Sequence, residues 1–244
     1  RGLKPWELKG ESIDLLPALA TLSEDIAQHV DEALAQSPKN LILSGDHSCA
    51  VGLLSGFRAH YPKAKIGVVW LDAHGDIHSP FTSPSGNGHG MPVAALAGLD
   101  HLEPSVDTPY EIQEAWAQMK MLGKGQISPK FSPEDFFYFG IRDLEAEEWN
   151  ALTAHNIRYV AGGGDFNERF QDGVELLLKW CADFDLIYVS FDVDGMDADL
   201  VPGTGTPVEG GFNLEQTHTL LSALVGLHNF AVLEICEVNP LLDQ

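Results

Sequence analysis

Short apolar runs alternate with stretches of helical spacing along most of the chain. Between 12 and 36, Leu15, Leu16, Leu19, Leu22, Ile26, Val30 and Leu34 recur at intervals of mostly three and four, which predicts an amphipathic helix. Ser37, Pro38, Lys39 and Asn40 read as a turn and 40–43 as a strand. Further helices are expected over 50–60, over 91–99 with Pro92 tolerated in the first turn, over 110–122, 145–155, 167–182 and 213–224. Strands are expected at 68–71, 136–140, 157–160, in the apolar run that leads to Asp192, and at 230–238. Residues 1–10 carry no clear pattern and 100–109 is irregular. The alternation runs without repeat, charge block or linker. It predicts one α/β domain over 1–244, a mostly parallel sheet with helices on both faces.

Three of the strands end in residues that bind metals. Val68, Val69, Trp70 and Leu71 run into Asp72-Ala73-His74-Gly75-Asp76. In extended chain, residues two apart share a side, so Asp72, His74 and Asp76 converge just past the strand. Two carboxylates and an imidazole suit a divalent first-row metal. Alone, this stretch reads equally well as a turn capped by Asp72. A second run, Leu186 to Phe191, ends in Asp192-Val193-Asp194 and repeats the design, and a third, Leu41 to Leu43, leads to Gly45-Asp46-His47-Ser48. Open α/β sheets keep their sites at strand ends. His47, Asp72, His74, Asp76, Asp192 and Asp194 are more ligands than one ion takes, and buried carboxylates repel unless neutralised. Two divalent ions sharing bridging carboxylates satisfy both conditions.

Composition narrows the classes. At 44% hydrophobic and 20% charged, the 244 residues are those of a soluble globular protein. No window approaches the ~18 apolar residues of a membrane helix, and no secretion signal is visible, although the chain opens on Arg1 rather than Met. Cys49, Cys181 and Cys236 are scattered and read as free thiols of a reducing compartment, which points to the cytoplasm. A formal charge of −22 disfavours nucleic acid. The glycine-rich stretches 161–165 and 202–207 lack the Lys-Ser/Thr of a phosphate loop.

Taken together, Gly45-Asp46-His47-Ser48, Asp72 to Asp76, Ser190 to Asp197 and Glu237-Val238-Asn239-Pro240 make the chain resemble the ureohydrolases, the family of arginase and agmatinase. The four motifs stand in family order and span nearly the whole chain. The resemblance implies the three-layer α/β/α arginase-like fold, in a chain that lacks the family's usual first strand and last helix. It implies two Mn(2+), a preference the carboxylate-rich set shares, with His47 serving chiefly one ion and His74 the other. It further implies a small-molecule guanidino substrate and a homotrimer or homohexamer.

The same resemblance, closest to arginase, distributes the remaining roles. Asp76 also accepts a hydrogen bond from the attacking hydroxide. His89, in the Gly-rich loop 85–90, passes a proton to the leaving amine, a task for which an imidazole is chemically suited. Glu237 pairs with the guanidinium through charge-assisted hydrogen bonds. Glu234, three residues earlier, is expected to point to the other side. Thr206 matches a position near the guanidino group, and Asp197 one that holds the Asp194 loop. Ser83, Ser85 and Asn87 match positions that hold an α-carboxylate, and Glu145 one that holds an α-amino group. His78 departs from the pattern, because arginases usually carry Asn there. His60 and His101 match nothing and are left as surface residues. Hydrolysis of L-arginine to L-ornithine and urea is the resulting expectation. Another guanidino compound is the alternative that His78 raises. A metal-dependent deacetylase would bind one catalytic metal, which the two-metal set disfavours, and a non-enzymatic member would have lost a ligand.

Overall fold

The computed structural model describes residues 12–103 and 108–243. The patternless stretch 1–10 and part of 100–109 lie outside the described residues. The described residues form two compact units: a larger one of residues 33–47, 61–75 and 131–243, and a smaller one of residues 12–32, 48–60, 76–103 and 108–130.

The larger unit is built on a sheet of six strands among the described residues: β1 (Asn40–Leu43), β2 (Ile66–Leu71), β3 (Phe136–Ile141), β4 (Arg158–Ala161), β5 (Leu186–Asp192) and β6 (Phe230–Cys236). Their order is β1-β6-β5-β2-β3-β4, and every pairing is parallel. β2 and β3 are buried along their whole length, as the unbroken apolar runs of inner parallel strands require. Parallel neighbours need crossovers, and α5 (Ala146–Ala154), α6 (Phe166–Cys181) and α7 (Leu214–Val225) lie in these connections. Phe166, Phe170, Val174 and Leu177 of α6 and Leu220 and Leu224 of α7 pack on Val69, Leu71, Phe137, Phe139 and Val189 of the sheet. Each such side chain contributes about 1.5–3 kcal/mol on burial.

Helix ends fall where local hydrogen bonds put them. The predicted helix from 213 begins one residue later because Asn213 is its cap: its side chain accepts from the Gln216 N–H and Gln216 Oε1 accepts from the Asn213 N–H, both at 2.9 Å. β6 stops at Cys236, two residues before its predicted end, because Glu237 takes φ 61°. β1 ends the sheet, bonded to β6 on one side, and leaves Leu41 and Leu43 66% and 76% exposed.

The smaller unit contains most of α1 (Leu16–Gln36), then α2 (Cys49–His60), α3 (Pro92–Ala97) and α4 (Tyr110–Met121). α1 is shorter than its periodicity predicted, since residues 12–15 form a 3-10 turn. α3 ends at Ala97, not 99, because Gly98 adopts φ 69°. Gly52 and Gly56 let α2 lie against α1. A Cβ on Gly52 would sit 2.6 Å from the Ser23 carbonyl oxygen, and one on Gly56 would strike that of Ala27.

Candidate metal centre

In the larger unit, β1, β6, β5 and β2 are consecutive neighbours, and the chain leaves them at the loop of His47, at Glu237, at Asp192 and at Asp72. A crevice outside the carboxyl ends of parallel strands is where such sheets bind ligands. His47 Nδ1 lies 3.0 Å from Asp72 Oδ2 and 3.2 Å from Asp192 Oδ2. His74 Nδ1 lies 3.1 Å from Asp194 Oδ2 and 3.4 Å from Asp72 Oδ1. Five of the six expected ligands are therefore brought together within this unit. Asp76, the sixth, is the first residue of the stretch that belongs to the smaller unit, where it is buried and its carbonyl accepts from the Val93 N–H.

Backbone and side-chain donors aim the carboxylates. Asp72 accepts from the His74 N–H at 2.7 Å and from the Trp70 indole at 3.0 Å. Asp192 accepts from the Asp194 N–H at 2.8 Å. Asp194 accepts from the Ala73 N–H at 3.2 Å and the Thr206 hydroxyl at 2.9 Å. The loop that carries Asp194 is gripped by Arg142, whose guanidinium donates to the carbonyls of Asp194, Gly195, Met196 and Val208. Asp197 holds the same region by accepting from the Asp199 and Gly210 N–H groups, the structural part expected of it.

The electrostatics call for a cation. Asp72, Asp192 and Asp194 are each less than 4% exposed, and among the described residues neither lysine nor arginine forms an ion pair with them. Burial would raise the Asp72 carboxyl, but hydrogen bonds and charge from His47 and His74 outweigh it and hold that group well below its ordinary value. Burial and the Asp72 charge push Asp192 up. Burial would lower the His74 imidazole, yet Asp194 and Asp72 raise it to about 12. Carboxylates that hold a proton this tightly on the His74 imidazole would hold a divalent ion in its place. The donor set, oxygen-rich with two imidazoles, fits a hard or borderline first-row ion. Cys236 also lies beside His47 and Asp192. Burial pushes its thiol well up, so it remains a thiol that donates weakly to Phe191 O and Asp192 Oδ2, consistent with its reading as a free thiol.

The structure corrects one expectation. Glu234 does not point away from this region. The two-residue alternation ends where Glu237 leaves the strand, and Glu234 lies fully buried beneath His47, in a network with Ser44, Tyr188 and Ser190. Trp70, stacked on the His47 ring at 4.0 Å and 9°, was also missed. The signal for both was present in the sequence: a polar or indole-bearing residue in an otherwise apolar strand needs a partner.

Of the remaining predicted residues, Glu237 Oε1 accepts from the His47 backbone N–H at 2.8 Å, and Glu145 caps α5, its own N–H bonded to Glu148 Oε2 at 3.0 Å. In the smaller unit, the loop from Asp76 to Gly90 has no strand or α-helix, only a short 3-10 turn at Gly88–Gly90 that carries half-buried His89. Ser83 Oγ accepts from the Gly86 N–H and Ser85 Oγ from the Asn87 N–H, so both serines shape the loop. His78 is buried, with Nδ1 3.1 Å from Thr82 Oγ1. His60 bonds Asp31 at 2.7 Å and His101 bonds the Ile77 carbonyl at 2.7 Å, local contacts for two histidines set aside as surface residues.

Comparison with known proteins agrees with these features. Residues 9–244 match the family model described as Arginase family. The arginase of Bacillus caldovelox is 34% identical over 234 residues, 94% of this chain and 71% of the relative. The solved structure of a Bacillus caldovelox arginase superposes with a TM-score of 0.82 at 32% identity, covering 100% of this chain and 75% of that one. The arginase of Entamoeba histolytica, solved in complex with L-ornithine, gives 0.79 at 28% identity, over 93% of this chain and 71% of that one. The likeness bears out the arginase-like α/β fold expected from the motifs.

Proposed function

The chain belongs to the arginase family of ureohydrolases, and on that premise we propose that it is a binuclear-manganese hydrolase that converts L-arginine and water to L-ornithine and urea. The observation that carries the metal part is the cluster of three buried carboxylates and two imidazoles with no lysine or arginine ion pair to the carboxylates among the described residues. The proposed ligands are His47, Asp72, Asp192, Asp194 and His74, joined by Asp76 on the spacing of its motif. When bound, the metal pair supplies a water acidic enough to attack at neutral pH.

The chain's own residues supply the rest. In this reading a carbon–oxygen bond forms at the guanidino carbon, the bond from that carbon to the side-chain nitrogen breaks, and the nitrogen leaves as an amine after taking up a proton. His89 is the proposed proton donor and Asp76 the acceptor that orients the water. Glu237 is the proposed partner of the guanidinium. Its Oε1 accepts from the His47 N–H at 2.8 Å, and its Oε2 lies 4.0 Å from where a Cβ on Gly205 would stand. Thr206 steadies Asp194. Ser83, Ser85, Asn87 and His78 are proposed for the α-carboxylate and Glu145 for the α-amino group. A homotrimer or homohexamer in the cytoplasm completes the reading.

His78 favours a second reading, a guanidino substrate without the carboxylate, since an imidazole stands where arginases usually carry an amide. Urea release by the manganese-loaded protein separates the two, with L-arginine, agmatine, 4-guanidinobutyrate and guanidine at equal concentration. Turnover of L-arginine above the others is expected. A preference for agmatine would move the assignment to the second reading, and no urea from any of the four would sink both.

A further inference from the structure

Beneath the metal centre lies a chain of hydrogen bonds whose proton directions are fixed by its far end. Glu234 is fully buried and its carboxylate collects three hydroxyls: Ser44 donates to Oε1 at 2.8 Å, and Tyr188 and Ser190 donate to Oε2 at 2.9 Å each. A carboxylate has only acceptors, so the one hydroxyl proton of Ser190 is committed to it. Ser190 Oγ also lies 2.8 Å from His47 Nε2. With its proton spent, the serine can only accept there, and Nε2 must carry a hydrogen. That leaves Nδ1 as the nitrogen aimed at Asp72 and Asp192, 3.0 and 3.2 Å away. Trp70 holds the ring plane by stacking on it and donates its indole proton to the same Asp72.

We propose that Glu234, acting through Ser190, is a positioning residue that fixes the tautomer of His47, so that Nδ1 presents its lone pair to the metal ion on its side of the centre. The inference rests on the proposed metal site and extends it to residues that touch neither metal nor substrate. Outer partners of this kind commonly change metal affinity by about 10–100-fold. The relay serves His47 alone. On His74, Nδ1 lies beside Asp72 and Asp194 and Nε2 lies 3.8 Å from Asp143 Oδ2, so the two ions should respond differently to the loss of the relay on His47.

Two measurements on the whole protein test this. In zinc-loaded, ¹⁵N-histidine-labelled wild-type protein, NMR should find the His47 proton on Nε2; a proton on Nδ1 would overturn the inference without any variant. Mn²⁺ binding by equilibrium dialysis is then compared for wild type, Ser190→Ala and Glu234→Gln. The alanine variant should lose affinity at one site by about 10–100-fold and keep the other within about twofold. The glutamine variant, whose amide oxygen still accepts from Ser190 while its NH₂ faces Ser44, should stay near wild type. Equal weakening of both sites in Ser190→Ala, or none, defeats the inference alone. A wild-type protein that binds no Mn²⁺ defeats the metal reading beneath it.

Discussion

At the scale of single residues, the cluster is a place where protons and the proposed metal would compete. In the metal-free protein His74 is raised to about 12 by Asp194 and Asp72, whereas in the unfolded chain it titrates near ~6.5. The folded state then holds more protons than the unfolded one above pH ~6.5. This contribution to stability is fully present below that pH and falls as pH rises, by at most about 1.4 kcal/mol per pH unit for one proton. Urea melts in EDTA at pH 6 and pH 9 should show the loss, and saturating Mn²⁺ should remove most of it by taking the proton's place. A metal-free protein equally stable at both values would contradict this picture of the site. The clustering of these side chains was legible in the sequence because strand-end spacing alone groups Asp72 with His74 and Asp192 with Asp194. Arg142 was not, because its six bonds run to carbonyls of Gly140, Asp194, Gly195, Met196, Val208 and Glu209, and no pattern of residue types marks a backbone acceptor.

At the scale of elements, the order of helices and strands followed from apolar spacing, and the errors sit at ends that spacing does not control. Glu237 turns out of β6 through a positive φ, and that turn undid the parity by which Glu234 was assigned to the far side. A residue's partner across a parallel sheet depends on register with a distant strand, as Ser190 opposite Glu234 illustrates, and register is not written locally. The α1–α2 contact gives an element-level prediction. Gly56→Ala puts a methyl group against the Ala27 carbonyl and Val30, so the gain in helix propensity of about 1 kcal/mol should be outweighed by strain of about 1–3 kcal/mol. A urea-melt midpoint at or above wild type would show that α1 can move aside at no cost.

For the molecule as a whole, the parallel sheet was readable because β2 and β3 are unbroken apolar runs and β5 and β6 are apolar but for Ser190, Asp192 and Glu234. The division into two compact units was not, because the chain passes between them several times without a composition change to mark the passage. The edge of the sheet has its own implication. Among the described residues β1 is paired with a strand on one side only, and Leu41 and Leu43 are exposed on it. An apolar edge of this kind is a template that another strand can join, so the same parallel architecture that gathers the buried aspartates and histidines is expected to favour self-seeded aggregation. Light scattering should detect that growth with rising concentration, and Leu43→Lys, a charge on the open rim, should delay its onset while leaving Mn²⁺ binding intact.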